Sequence, residues 1–121
     1  MAFAKGFAQK TGAVIAITGV IDLVANAKTA YCIRNGHAAM SKITGTGCQL
    51  SAMTAAYITA NLNHALEATA AAVCAMGLCG EKAKERMMEC DGNSSYRNYI
   101  IDAVCNLTPA ELERGAKFEV R

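Results

Sequence analysis

Apolar positions in this chain come in three textures. Ala13-Val14-Ile15-Ala16-Ile17 is a continuous apolar run without alternation, which predicts a strand buried on both faces in a parallel sheet covered by helices. Val20 to Val24 and Lys28 to Ile33 then predict a hairpin, with Asn26 as its turn residue. Ahead of these, Ala2 to Lys10 has helical character and closes near Gly12. Arg34 to Gly47 reads as a loop, and everything after Cys48 reads as largely helical. The expected helices are one from Cys48, one from about His64 to Leu78, a break at Gly80, and one over Glu81 to Met88. Asp91-Gly92-Asn93 signals a turn, and Ser94 or Ser95 is placed to cap a helix carrying Tyr96 to Val104. Thr108-Pro109-Ala110-Glu111 has the form of a capping box with proline at the first helical position.

Strands followed by helices predict an α/β sandwich, and 121 residues make about one domain. No repeat, low-complexity stretch or linker divides it, so residues 1–121 read as a single unit.

Composition narrows the function classes. Hydrophobic residues make up 53% of the chain, charged residues only 18% and aromatics 6%. The core is therefore mostly Ala, Ile, Leu, Val and Met, and the low charge suits a piece of a larger assembly. Net charge is +2, with no basic stripe interleaved with aromatics, which leaves nucleic-acid binding without support. Lys82, Lys84 and Arg86 alternate with Glu81, Glu85 and Glu89, the pattern of a solvated helix face. The uncharged stretch Ala68 to Gly80 is too short to span a bilayer, and Ile43 to Asn63 carries too many polar and glycine positions for one. With no secretory signal and no C-x-x-C or His/Cys metal spacing, the six cysteines read as reduced cytoplasmic thiols, Cys74 and Cys79 as small core residues.

The candidate chemistry lies in Ile43-Thr44-Gly45-Thr46-Gly47-Cys48. Glycines let main-chain N–H groups approach a phosphate, and the positive end of the following helix favours an anion there. A thiol in that field should have a lowered pKa, although a neighbouring phosphate opposes this. One short segment thus offers an anion cradle beside an activatable side chain, which suggests phosphoryl transfer. Thr18 ends the first strand just before Gly19, where ligands of open α/β sheets gather.

Asn35-Gly36-His37 with Met40-Ser41-Lys42-Ile43-Thr44-Gly45-Thr46-Gly47-Cys48 resembles the active-site segment of the hydroxyethylthiazole kinases. Ala16-Ile17-Thr18-Gly19, Ser95-Tyr96-Arg97-Asn98-Tyr99-Ile100-Ile101-Asp102 and Asn106-Leu107-Thr108-Pro109 extend the resemblance in the same order along nearly the whole chain. It corresponds to the C-terminal part of that family. The resemblance implies a ribokinase-like layered sheet with helices, and an ATP- and Mg²⁺-dependent phosphorylation of the primary alcohol of 4-methyl-5-(2-hydroxyethyl)thiazole in thiamine biosynthesis or salvage. It implies a homotrimer with sites near subunit interfaces, while the composition points to a cytoplasmic chain that engages neither nucleic acid nor membrane. By the same resemblance Gly45, Thr46 and Gly47 form an anion hole, Gly45 also contacts substrate, Cys48 is the catalytic residue and Thr18 binds ATP. The family's metal ligands lie in its N-terminal part and fall on no residue here; Asp22, Asp91 and Asp102 are not assigned to the metal. Two other readings stay open at this point: a hydroxymethylpyrimidine or pyridoxal-type kinase, which also carries Gly-Thr-Gly-Cys, and a non-catalytic fragment or split subunit that needs an N-terminal half.

Overall fold

A computed structural model describes all 121 residues. Helix α1 (Ala2–Thr11) leads into strand β1 (Ile15–Ile17), the hairpin β2 (Asp22–Ala25) and β3 (Ala30–Ile33), and a 3₁₀ turn over Ala38–Lys42. Helices α2 (Thr46–Ala60), α3 (Ala65–Arg86), α4 (Asn93–Asn106) and α5 (Pro109–Gly115) follow, and strand β4 (Phe118–Val120) ends the fold.

Local chemistry fixes several of these boundaries. Gly12 takes φ 70° and its N–H donates to the Ala8 carbonyl at 2.8 Å, closing α1. The Asn26 Oδ1 accepts from the Lys28 and Thr29 amides at 2.8 and 2.7 Å, which turns the hairpin. Thr108 and Glu111 form the reciprocal capping box that starts α5.

The four strands run in the order β1-β2-β3-β4, each antiparallel to its neighbour. This corrects the expected parallel strand. β1 lies on an edge, paired only with β2, and Ala16 and Ile17 are exposed. Its apolar run is therefore not covered on both faces. Alternation along the hairpin sends Ala25 and Ala30 to one side, where they pack with Ala4 of α1. Val24 and Ile33 go to the other, against Leu66, Ala70, Val73 and Cys74 of α3. Behind α3, Tyr96 and Ile100 of α4 pack on Met76, Cys79 and Ala83.

Gly80 does not break α3, which runs uninterrupted from Ala65 to Arg86. The glycines in this helix permit close packing. A Cβ on Gly77 would stand 2.7 Å from the backbone of Asn35, and one on Gly80 would strike the Met40 thioether. The span around α3, Leu62–Arg86, is long and apolar enough to cross a membrane, yet 67% of its most apolar window is buried within the protein. Its apolar residues are taken up by the protein's own core.

Two further boundaries differ from expectation. α2 begins at Thr46, before Cys48, because Gly45 already serves as its N-cap. α4 begins at Asn93 after Gly92, without a capping serine hydroxyl. The two Ser positions fall inside its first turn.

Candidate active site

Three chain crossings meet over the middle of α3. The β1–β2 turn carries Thr18 and Gly19 and leads into Asp22 at the start of β2, the segment after β3 carries Asn35-Gly36-His37, and the start of α2 carries Thr46 and Gly47. Together they line an open cleft of about 640 Å³ floored by Val73, Met76 and Gly77.

The cradle is built by one backbone feature. Gly45 takes φ 97° and ψ −3°, a left-handed conformation that only glycine adopts without strain. α2 therefore starts abruptly, and its first internal bond is donated by Gln49 to the Gly45 carbonyl at 3.0 Å. No side chain caps this end. The amides of Thr46, Gly47 and Cys48 precede the first helical bond, so they stay available to an acceptor and lie at the positive end of the helix. A Cβ at Gly45 or Gly47 would meet nothing within 4 Å, so both glycines border open space. The site-residue readings sort accordingly: Thr18, Thr46 and Gly47 share the cleft, Gly45 forms its rim, and the Cys48 side chain sits on the exposed side of the first turn of α2.

The segment before the cradle is pinned in steps. The His37 Nδ1 accepts from the Ala39 amide at 3.0 Å, capping the 3₁₀ turn, and the Ser41 hydroxyl donates to the Ala38 carbonyl at 2.7 Å. The Asn93 side-chain amide donates to the Lys42 carbonyl at 3.1 Å. Across the cleft, Asp22 accepts from the Gly19 amide at 2.8 Å and holds the turn bearing Thr18. Burial raises the Asp22 carboxyl above its ordinary value, with the Gly19 N–H pulling the other way.

Asp22 is the one acidic residue lining the cleft. Asp91 accepts from the Met88 amide and the Tyr99 hydroxyl, and Asp102 pairs with Arg86. No group of three or more His, Cys, Asp and Glu side chains is arranged to hold a metal. The residues present thus supply donors for an anion but not a magnesium site.

Sequence reasoning missed Glu81. The charge alternation put it on a solvated face, whereas its side chain is 18% exposed and accepts from the Gly36 amide at 2.8 Å. The only sequence signal was its spacing of four from Gly77, which places both on one side of α3. Tyr96 anchors α4 on α3. It is fully buried, and its hydroxyl donates to the Gly80 carbonyl at 2.9 Å.

Comparison with known proteins bears on this arrangement directly. Residues 1–110 match the model of the hydroxyethylthiazole kinase family. The chain belongs to that family. It is 66% identical over 117 residues to a hydroxyethylthiazole kinase of Clostridium acetobutylicum, covering 97% of this chain and 43% of that protein. Against a hydroxyethylthiazole kinase of Methanocella arvoryzae the identity is 36%, over 95% of this chain and 42% of the relative. The solved hydroxyethylthiazole kinase of Pyrococcus horikoshii superposes with a TM-score of 0.89 at 26% identity, covering 99% of this chain and 45% of that one. The chain thus spans less than half the length of the relatives it matches.

Proposed function

We propose that residues 1–121 act as one unit, the C-terminal part of a ribokinase-like domain, in the ATP-dependent phosphorylation of the primary alcohol of 4-methyl-5-(2-hydroxyethyl)thiazole. The product belongs to thiamine biosynthesis or salvage. One observation carries the reading: the left-handed Gly45 opens α2 so that successive amides border the cleft in a chain of this family.

In the proposed reaction the alcohol oxygen bonds to the γ-phosphorus of ATP. The bond from that phosphorus to the bridging oxygen breaks, ADP leaves, and the alcohol proton passes to a base or to water. Charge on the transferred group is met by the amides of the Gly45-Thr46-Gly47 segment, whose positions are set before the substrate arrives. Gly45 contacts the alcohol, Thr18 contacts ATP from the β1–β2 turn, and Cys48 accepts or orients the hydroxyl proton. Mg²⁺ is the metal expected for such a reaction, and Asp22 alone does not supply a site for it. A cytoplasmic homotrimer is the proposed working form, on the family resemblance.

The test is ADP release from Mg-ATP by the purified chain, with the thiazole alcohol present, absent, or replaced by hydroxymethylpyrimidine. The reading predicts thiazole-dependent release that falls by about 10²-fold or more in Cys48→Ala. Release independent of the thiazole alcohol, or equal with the pyrimidine, contradicts it.

A further inference from the structure

The Asn35-Gly36-His37 element lines the cleft but has no part in the chemistry above. The end of β3 lies directly on α3 here, and the contact is specific. Asn35 is 6% exposed, and both ends of its side chain are used. Its Oδ1 accepts from the Lys117 amide at 2.7 Å, and its Nδ2 donates to the Gly115 carbonyl at 2.9 Å and to the Glu81 Oε1 at 3.3 Å. The same Glu81 oxygen accepts from the Gly36 amide at 2.8 Å, while its Oε2 pairs with the Lys117 ammonium at 2.6 Å. Both carboxylate oxygens therefore act only as acceptors, Oε1 for the Gly36 and Asn35 N–H groups and Oε2 for the Lys117 ammonium.

Gly77, Gly80 and Glu81 stand at i, i+3 and i+4, so they form one strip along α3. Each receives a successive part of the incoming segment. Gly77 leaves room for the Asn35 backbone, Glu81 holds the Gly36 amide, and Gly80 leaves room for Met40. Gly36 itself has φ 127°, a conformation open to glycine, so the chain changes direction where the carboxylate holds it. Beyond Met40 only four residues remain before Gly45.

From this we infer that Glu81 is a positioning residue for the cradle. It fixes the Gly36 turn to α3 from outside the cleft, and so sets the path that delivers Gly45-Thr46-Gly47 to Thr18. The inference rests on the cleft assignment made above, and its test needs no turnover.

The experiment is a ¹H–¹⁵N amide spectrum with hydrogen exchange, recorded on the full 121-residue chain without ligand. Wild type is compared with Glu81→Met, Glu81→Asp and Lys117→Met. Glu81→Met, which has similar length but no acceptor for the Gly36 amide, is expected to shift the amides of residues 36–37 and 45–47 together and to lower Gly36 protection at least tenfold. Glu81→Asp, which keeps the charge but shortens the reach, is expected to do the same and stands in if Glu81→Met does not fold. Lys117→Met leaves the Gly36 bond in place and is expected to leave the 45–47 amides unmoved. Changes confined to residues next to position 81 overturn the inference. So does a Lys117→Met spectrum in which the 45–47 amides move as far as in Glu81→Met, because that marks general loosening. Failure of the kinase reading shows separately, as absent thiazole-dependent ADP release from a chain whose spectra behave as stated.

Discussion

Helix α2 and the Ala68–Gly80 stretch of α3 are both free of charged residues and have opposite surroundings. α2 has no charged residue in its 15 positions, and none of them is buried. α3 buries 14 of its 22. The difference lies in what covers them. α3 has the sheet on one side, with α2 and α4 against its other faces. α2 rests on α3 along Leu50, Met53, Tyr57 and Ile58, and turns Cys48, Ser51, Ala52, Ala55, Ala56 and Thr59 outward. Two uncharged stretches thus give a finished core in one place and an open face, beside the cradle, in the other. Stability resides in α3, and the candidate chemistry sits where packing is thinnest, the usual division between scaffold and site.

The sharpest way to break this comparison is to add one methyl to each helix. Gly77→Ala puts a Cβ at 2.7 Å from the Asn35 backbone, which has no rotamer to move. We expect it to destabilise the fold by about 2–3 kcal/mol, read by urea unfolding. Gly47→Ala meets nothing within 4 Å and removes a helix glycine, so it should stabilise by ~0.5–1 kcal/mol. Equal losses at the two positions would mean that α2 is packed as tightly as α3.

Next in size is Tyr96→Phe, which strips the buried hydroxyl from the Gly80 carbonyl. The expected cost is about 1–1.5 kcal/mol by the same measurement. A neutral result would mean that the α3–α4 contact is held by area alone.

The α5 cap offers a smaller, pH-dependent effect. Thr108→Ala should cost about 1 kcal/mol. The Lys82 ammonium, followed by the Thr108 amide and hydroxyl, holds Glu111 down to about 2 from an ordinary value near 4.5. A depressed carboxylate contributes its stability above the unfolded value and loses it as pH falls toward the folded one. Thermal melts should therefore lose this contribution between about pH 5 and pH 2, and Glu111→Gln should flatten that part of the curve. An unchanged acid limb in Glu111→Gln would remove the cap from the account.

The smallest effect is expected on the outward face of α2. Ala55→Glu should change stability by no more than ~0.5 kcal/mol, because the side chain points to solvent. It should also reduce ANS fluorescence, if the open face is the dye site. A large loss of stability would show that something covers this face.

Local signals were legible in the sequence wherever a single residue type carries the geometry. Gly12 ends α1, Asn26 turns the hairpin, and Thr108 and Glu111 start α5. What escaped depends on distant partners. The Ala13–Ile17 run does not reveal whether a neighbour stands on both sides, and β1 proves to be an antiparallel edge. Gly80 carries the same letter whether it ends a helix or admits Met40, and only the packing decides. β4 is three residues long, and it is defined by pairing with β3 rather than by its own pattern. Glu81 looked solvated among alternating charges, because its partners Asn35 and Gly36 lie 46 and 45 residues away.

The most direct measurement is an amide titration of the full chain with ATP, and with inorganic phosphate as the simpler anion. The account predicts saturable shifts centred on the amides of Gly45, Thr46, Gly47 and Cys48, with Thr18 responding to ATP alone. Shifts that scatter over surface lysines, or that leave the start of α2 unmoved while the chain remains folded, would contradict it.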